Sequence, residues 1–293
     1  MATGTSSEVG ATDRALTVRR ISFAEPTAPL PKHFMAGDLV MSHVVAVLSA
    51  VFPEGEDYFV RSVRNYRDQV RDPALKAQVA GFIGQEAIHG REHRELNERF
   101  AELGYPTKRI EKMTAAGLRL RTRFAPPKAN LAATAALEHF TATLAEMLLT
   151  NEEARDLFGH EEVRNLFLWH ALEESEHKAV AFDVYKAVGG TERMRTWTMN
   201  AITVGFLVGM AAQTGVAVLM DPEGRKPRVL LQSLRRLRRS PLLSKELWRQ
   251  LREYNRPDFH PDDRETAAII AEWRERLFGE QGTLNDKLAG AAA

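Results

Sequence analysis

Cysteine is absent from the 293 residues of the chain. Its absence excludes disulfide bonds and thiolate metal sites, so a bound metal ion must be held by carboxylate and imidazole groups, which suit hard or borderline ions. A formal net charge of only +1 gives no electrostatic reason to expect a nucleic-acid partner. Because no disulfide has to form, an oxidising compartment is not required, and we expect a cytoplasmic protein.

Strand patterns are nearly missing as well, whereas residues that start and stop helices are frequent. Asp72 followed by Pro73 predicts a helix start, and Gly104 predicts its end. Pro53 predicts a kink or a restart within the first long helix, with Glu56 in the first turn of the second piece. The fold class is therefore all-α, with long helices expected over about 37–70, 72–104, 108–123, 128–149 and 160–188.

Three segments of different character divide the chain. Residues 1–34 are expected to form a flexible leader and an extended arm, because Met1–Asp13 is small and polar and has no apolar segment of the signal-peptide type. Residues 35–190 are expected to form a four-helix bundle. Residues 191–293 are expected to form a C-terminal helical extension packed on that bundle.

Two Glu-x-x-His steps occur in the expected helices, Glu86 to His89 and Glu174 to His177. Residues three apart share a helix face, so each pair can reach one metal ion. A four-helix bundle that binds two metal ions takes one Glu from each of two helices and one Glu-x-x-His from each of the other two. The order along the chain fits this pattern and predicts six ligands: Glu56, Glu86, His89, Glu138, Glu174 and His177.

Other histidines near these motifs have open roles. His170 lies four positions before Glu174 and so shares its face, and His93 lies seven positions after Glu86. His170 is either a further ligand or a hydrogen-bond partner of a ligand, and His93 is a ligand, such a partner or a surface residue. His139, beside Glu138, is expected to be a hydrogen-bonded structural histidine on another face.

The ligand motifs and their flanks resemble ferritin-like di-iron carboxylate proteins, and within them a bacterial family labelled as predicted metal-dependent hydrolases. The resemblance covers nearly the whole chain after the leader. It rests on Leu48-Ser49, Phe52-Pro-Glu-Gly-Glu56, Gln85-Glu-x-x-His89-x-x-x-His93, Trp169-His-x-x-x-Glu174-x-x-His177-Lys178 and Tyr254-Asn-Arg-Pro-Asp-Phe-His260. The spacing of His170, Glu174 and His177 is also similar to di-iron arylamine N-oxygenases, and this second resemblance implies that His170 is a seventh ligand.

These resemblances imply a ferritin-like bundle with two iron ions, with manganese or a mixed pair as alternatives and zinc less suited. The expected activity is that of an O2-activating oxidase or oxygenase, which acts on a lipophilic organic substrate and needs an electron donor. A two-metal-dependent hydrolase is the alternative, and a non-catalytic metal-binding or membrane-associated protein is the second. No substrate-pocket motif of the arylamine oxygenases is recognisable, so an amine substrate does not carry over.

The C-terminal third contains two unusual stretches. The uncharged run 196–220 is long enough to cross a bilayer, but it includes Asn200 and Gln213, and we expect a buried or membrane-docked helix rather than a span. The basic segment 225–252 interleaves arginine and leucine. It predicts either peripheral attachment to the inner membrane or a solvated face covering the bundle. Nucleic acid is not expected as a partner, and a homodimer is left open.

Overall fold

The computed structural model describes residues 16–24 and 28–289. Within them the chain is helical and forms no strand of a sheet, apart from one antiparallel bridge between Ile21 and Leu288. The all-α class is therefore confirmed. The predicted leader Met1–Asp13 lies outside the described residues.

The helices vary widely in length, and several are joined by short 3-10 turns. In chain order they are α1 (Leu39–Arg64), α2 (Pro73–Glu102), α3 (Thr107–Phe124), α4 (Pro127–Thr150), α5 (Glu152–Asp156), α6 (Glu161–His177), α7 (Val180–Ala187), α8 (Glu192–Met220), α9 (Pro227–Arg239), α10 (Lys245–Glu253) and α11 (Ala267–Phe278).

Pro53 lies inside α1, which continues through it, so the predicted restart is wrong and Glu56 sits in mid-helix. A proline nitrogen cannot donate to the carbonyl four residues earlier, which leaves the Ser49 carbonyl open. Asn97 Nδ2 of α2 donates to that carbonyl oxygen at 3.1 Å. Helix α1 tolerates the proline because its neighbour satisfies the group that the proline leaves unpaired.

The predicted ends of α2 are confirmed. The Asp72 side chain accepts from the backbone N–H groups of the first turn, Pro73 takes the first helical position, and Gly104 follows the helix with φ +92°.

The single helix predicted over 160–188 is wrong, because α6 ends at His177 and α7 begins at Val180. Lys178, at the break, donates from Nζ to the Arg264 carbonyl at 2.7 Å and to Thr266 Oγ1 at 2.9 Å. The C-terminal segment thus holds the turn between α6 and α7. As a consequence, Glu174 and His177 lie in the last turn of α6 rather than in mid-helix.

Helices α1, α2, α4 and α6 surround a common interior. Helix α1 packs against α2 and α4, and α6 packs against α4 and α2. Aromatic side chains bound this interior on two sides. The Phe82 ring lies 5.0 Å from the His177 ring, and the Trp169 ring lies 4.9 Å from the His89 ring, between centroids. The apolar core therefore encloses the predicted ligands.

Helix α8 lies along α1 and α4. Two helical stretches, Leu39–Gln69 and Glu192–Met220, are long and apolar enough to cross a membrane by length and composition alone. Their surroundings differ. In the most apolar 18 residues of each stretch, 67% of the first is buried inside the protein, against only 17% of the second. The first is a core helix of this fold. For the run 196–220 we expected a buried or a membrane-docked helix. The structure excludes the buried helix, because most of α8 is not covered by the rest of the protein.

Candidate metal centre

All seven predicted site residues converge in the interior between α1, α2, α4 and α6. Glu56 comes from α1, Glu138 from α4, the Glu86 pair from α2 and the Glu174 motif from α6. Each side chain is at most 3% exposed. Their oxygen and nitrogen atoms fall into overlapping groups of three within 4.8 Å, namely Glu86 with Glu138 and His177, Glu56 with Glu86 and His89, His89 with His170 and Glu174, and Glu56 with His93 and His170.

The cluster has two ends that share central groups. At one end His177 Nε2 lies 3.1 Å from Glu86 Oε1 and 3.4 Å from Glu138 Oε2. At the other end His170 Nε2 lies 3.7 Å from Glu56 Oε1. Glu174 Oε1 connects them, at 2.8 Å from His170 Nε2 and 3.6 Å from His177 Nε2. Groups of the kind that can hold a metal ion thus occur at both ends, with Glu174 between them.

Most carboxylate oxygens of this cluster lack hydrogen-bond partners, and Glu174 Oε1, at 2.8 Å from His170 Nε2, is the exception. Both oxygens of Glu56, Glu86 and Glu138 are buried and unpaired, as is Glu174 Oε2. His89 Nδ1 and His177 Nε2 also face the cluster without a partner. Buried polar atoms without partners are costly, and coordination of a cation removes that cost. The donors are oxygen and nitrogen, which is the set that iron, manganese and zinc accept.

Each imidazole turns one nitrogen inwards because the other is engaged outside the cluster. His89 Nε2 lies 3.0 Å from Glu173 Oε2, and His177 Nδ1 lies 2.9 Å from Gln85 Oε1. Since both partners accept, the outer nitrogen carries the proton in each ring. In the neutral ring, the inner nitrogen of His89 and of His177 then carries the lone pair that a metal ligand requires, and a bound cation would displace the proton that the neighbouring carboxylates favour.

An arginine of the N-terminal arm supports this outer layer. Arg19 is 8% exposed, and its Nη1 lies 2.9 Å from Glu173 Oε1 while its Nη2 lies 2.8 Å from Glu176 Oε1. Gln85 Nε2 also donates to Glu176, at 3.0 Å to Oε2. Sequence reasoning missed Arg19 because an arginine in an extended arm, far from the motifs along the chain, carries no periodic signal.

Burial and the neighbouring imidazoles act in opposite directions on the carboxylates of the cluster. Burial opposes ionisation of Glu86 and Glu174, but contacts with the histidines lower the pKa of both. Glu138 and Glu56 are shifted the other way. Burial raises the pKa of Glu138 to about 8, and the neighbouring carboxylates of Glu86 and Glu174 add to the rise. Burial also raises the pKa of Glu56 well above its ordinary value. For His89 burial opposes protonation, yet the Glu173 and Glu86 carboxylates raise its pKa to about 10. Carboxylates packed this closely ionise only where positive charge compensates them, so the cluster favours cations.

His93 joins the cluster with both ring nitrogens already engaged. Its Nε2 lies 2.8 Å from His170 Nδ1, and its Nδ1 lies 2.9 Å from Ser49 Oγ. Ser49 Oγ donates to Asn97 Oδ1 at 2.7 Å, and Asn97 Nδ2 donates to Glu111 Oε1 at 2.9 Å. His93 therefore orients His170, and a chain of hydrogen bonds runs from the cluster to the partly exposed Glu111.

His139 is a structural histidine, in agreement with the expectation. Its Nε2 lies 3.1 Å from the Gln250 carbonyl oxygen, to which it donates. Burial lowers the pKa of His139 to about 4, so the ring is neutral at pH 7. The residue ties α4 to α10 and takes no part in the cluster.

An apolar cavity of about 550 Å³ lies beside the cluster, between α1, α3, α4 and α8. This volume is in the range of small-molecule sites, roughly 300–1,000 Å³. Phe52, Gly55 and Phe59 of α1 line it around Glu56, and Leu137 and Phe140 of α4 line it around Glu138. The polar residues among its lining are few: Thr114, Thr141 and Gln213. No residue of the cluster lines the cavity, but Phe52 does, and its ring lies 4.8 Å from the His170 ring between centroids. The cavity therefore fits a lipophilic molecule one side chain away from the cluster.

No curated protein and no solved structure matches the chain. The sequence model of one family, described as "Predicted metal-dependent hydrolase", matches residues 17–265. This match includes the arm, the carboxylate and histidine cluster, and α8 to α10. Its description agrees with the hydrolase alternative and does not support the oxygenase expectation. Because the match extends over most of the 293 residues, the chain belongs to the family of predicted metal-dependent hydrolases.

Proposed function

We propose that the protein is a two-metal enzyme built on a ferritin-like four-helix bundle of α1, α2, α4 and α6. The observation that carries the proposal is the convergence of buried, unpaired carboxylate oxygens from four helices with inward-facing imidazole nitrogens. The proposed ligands are Glu56, Glu86, His89, Glu138, His170, Glu174 and His177. This inventory has the one-Glu and Glu-x-x-His arrangement of di-metal carboxylate bundles, with His170 in addition.

Two iron ions are the proposed cofactor, with manganese or a mixed iron–manganese pair as alternatives. With both oxygens of each carboxylate counted, four carboxylates and three imidazoles offer more donor atoms than the positions of two tetrahedral zinc ions, and they suit ions of higher coordination number. Carboxylates can also change between one-oxygen and two-oxygen binding, which leaves coordination positions for other molecules. Zinc is therefore the less suited ion.

We place oxidation of a lipophilic substrate by O2 first among the reactions. Bound iron would supply the redox chemistry, and an electron donor would be needed. The protein's part is to hold the substrate against Phe52, Phe59 and Phe140, and the Phe52 ring in turn contacts the His170 ring of the cluster. The hydrogen bonds between Ser49 and His93 and between His93 and His170 keep the His170 imidazole oriented. An apolar cavity next to a buried di-metal site supports this reaction.

Hydrolysis is the second candidate, and the description of the family favours it. Two bound metal ions would lower the pKa of a water molecule and so supply the nucleophile. A hydrolysable ester or amide also needs polar groups around its reacting carbonyl, and the cavity offers Thr114, Thr141 and Gln213 only. This scarcity is why we rank hydrolysis below oxidation. A non-catalytic metal-binding protein is the remaining alternative.

Metal analysis combined with O2 uptake separates these functions. Metal-free protein is loaded with Fe(II) under anaerobic conditions, and O2 consumption is followed after mixing with aerated buffer. A parallel sample loaded with Mn(II) or Zn(II) is tested anaerobically for hydrolysis of p-nitrophenyl esters. Glu86→Ala tests the site, and Glu152→Ala on the exposed α5 is the matched control.

Oxidation predicts that O2 uptake scales with bound iron, is lost in Glu86→Ala and is retained in Glu152→Ala. Metal-dependent ester hydrolysis without O2, lost in the same variant, would replace it with the hydrolase. Two bound ions with neither reaction would favour metal binding alone. A folded protein that binds no metal ion would contradict all of these functions.

A further inference from the structure

The outward face of α8 is mostly apolar, with the exposed Asn200 as a polar residue on it. Trp197 is 71% exposed, Val204 and Val208 are each 63% exposed, and Leu219 is 64% exposed. These positions are separated by 7, 4 and 11 residues, which correspond to whole numbers of helical turns, so they share one side of the helix. Residues 196–220 contain no charged side chain. A helix that packs one side on a water-soluble core normally presents polar residues on the other.

Helix α3 extends this surface across the cavity. Its Leu120 is 60% exposed and its Phe124 is 72% exposed. Met113 and Gly117 of α3 and Gly205 of α8 are exposed and also line the cavity. The opening of the cavity therefore lies between two helices that both present apolar side chains outwards. Contiguous exposed apolar surface around a pocket is typical of interaction sites.

Positive charge adjoins the C-terminal end of this apolar face. Arg225 Nε donates to the Leu219 carbonyl oxygen at 3.5 Å, which places the start of the basic segment against α8. Further along, four exposed arginines form no ion pair with any acidic residue of the described chain: Arg228, Arg235, Arg238 and Arg239. Unpaired arginines beside exposed apolar side chains are typical of surfaces that bind anionic lipid.

We propose that the outward faces of α8 and α3, together with the arginines of α9, dock on the surface of an anionic lipid bilayer. The charge selects this partner, because a second copy of the same surface would bring like-charged arginines towards each other. Docked in this way, the opening between Met113 and Gly205 faces the lipid. A lipophilic substrate can then enter the cavity from the bilayer, and this last step rests on the proposed function.

Vesicle co-sedimentation tests the docking without any activity measurement. The full-length protein is mixed with vesicles of phosphatidylcholine alone or of phosphatidylcholine with phosphatidylglycerol. Val204→Gln with Val208→Gln removes apolar contact while keeping neutral side chains of good helix propensity. Arg235→Glu with Arg238→Glu reverses the charge. Arg276→Glu, at an exposed arginine of α11, which packs against α4 and α6, is the charge-reversal control on another part of the surface.

We expect binding to the anionic vesicles to exceed binding to the neutral vesicles and to fall by about tenfold or more in both double variants, since each arginine near a lipid surface contributes measurably. The Arg276→Glu variant should bind like the unaltered protein. Absence of binding to anionic vesicles would overturn the proposal. So would a stable dimer in analytical ultracentrifugation that Val204→Gln with Val208→Gln dissociates while vesicle binding is unchanged. Because the readout is lipid binding, failure of the proposed reaction leaves this result intact.

Discussion

His93 Nε2 lies 2.8 Å from His170 Nδ1 in the closed interior of the bundle. This contact leaves His170 Nε2 facing Glu174 Oε1 and Glu56 Oε1. Both nitrogens of His93 are engaged, since its Nδ1 contacts Ser49 Oγ. Burial lowers the pKa of His93 well below its ordinary value, and the His170 and His89 imidazoles add to that effect. His93 is thus a neutral ring that donates on one side and accepts on the other.

The two histidines should therefore respond differently to substitution. His170→Ala is expected to lose one of two bound ions, because it removes an inward-facing donor. His93→Ala is expected to keep both and to bind them about 10–100-fold more weakly, as loss of a ligand's hydrogen-bond partner usually does. Metal titration with equilibrium dialysis measures both effects.

A crystal structure of the metal-loaded protein gives the direct check on His170. Ligation predicts its Nε2 at about 2.0–2.3 Å from a metal ion, near the usual metal–imidazole distance. A separation beyond about 3 Å from both ions would assign His170 to the hydrogen-bonded layer instead.

Removal of a central carboxylate should empty the site. Glu86→Ala and Glu174→Ala are each expected to reduce the metal content from about two ions per chain to well below one, since these carboxylates contact both ends of the cluster. Glu152→Ala and Glu153→Ala change exposed residues of α5 and should keep full occupancy. Elemental analysis of the four purified variants decides this. Equal metal content in all four would show that the proposed face is the wrong one.

Arg19 should affect metal affinity without contacting metal. Arg19→Gln removes the cation that holds Glu173, and Glu173 in turn accepts from the outer nitrogen of His89. We expect about tenfold weaker metal binding with the stoichiometry retained. Arg20→Gln is the matched control, because Arg20 is the exposed neighbour of a buried residue. If both variants bind metal equally well, the arm has no part in the centre.

Filling the cavity should block lipophilic ligands and leave the metal content unchanged. A Cβ atom added at Gly205 meets no atom within 4 Å, so Gly205→Leu can extend a side chain into open space beside the cavity. We expect a fluorescent apolar probe such as Nile red to bind about tenfold more weakly, since the added side chain competes for its volume. Gly215→Leu, on the same helix but outside the cavity lining, controls for the change in helix propensity. Equal probe binding by the two variants would place the probe elsewhere.

Asp221 should make stability depend on pH in the acid range. Its Oδ2 lies 3.2 Å from Lys32 Nζ, 3.1 Å from His33 Nε2 and 3.3 Å from His43 Nε2, which joins the end of α8 to the start of α1. Burial opposes its ionisation, but a hydrogen bond from the Glu223 backbone N–H and the contacts with His33, Lys32 and His43 lower its pKa below the ordinary value.

A lowered carboxyl pKa contributes stability above the unfolded-state pKa of about 3.9, and this contribution is lost as the pH falls through the folded-state pKa. Asp221→Asn is therefore expected to unfold about 1–3 kcal/mol more easily at pH 7, as for a buried charge-assisted hydrogen bond. The difference from the unaltered protein should narrow below about pH 4. Urea unfolding between pH 3 and pH 7 measures it, and a constant difference over that range would contradict the assignment.

Residue spacing along the chain by itself determined much of the centre. Glu86 with His89, and Glu174 with His177, are three residues apart on helices, so each pair had to share a face. Asp72, Pro73 and Gly104 marked the ends of α2 because capping depends on residues adjacent in the chain. Helix propensity and capping act over a few residues, and those interactions can be inferred from the sequence.

Only the tertiary structure decided the remaining features. The continuity of α1 through Pro53 depends on Asn97, 44 positions away along the chain (97 minus 53). The engagement of both His93 nitrogens depends on Ser49 of α1 and His170 of α6, and the position of Glu173 depends on Arg19 of the arm. The exposure of α8 could not be inferred from the sequence either, since an apolar run is compatible with a core, a membrane or an open surface. Each of these outcomes depends on which distant segments do or do not pack together, and no local pattern of residues encodes that.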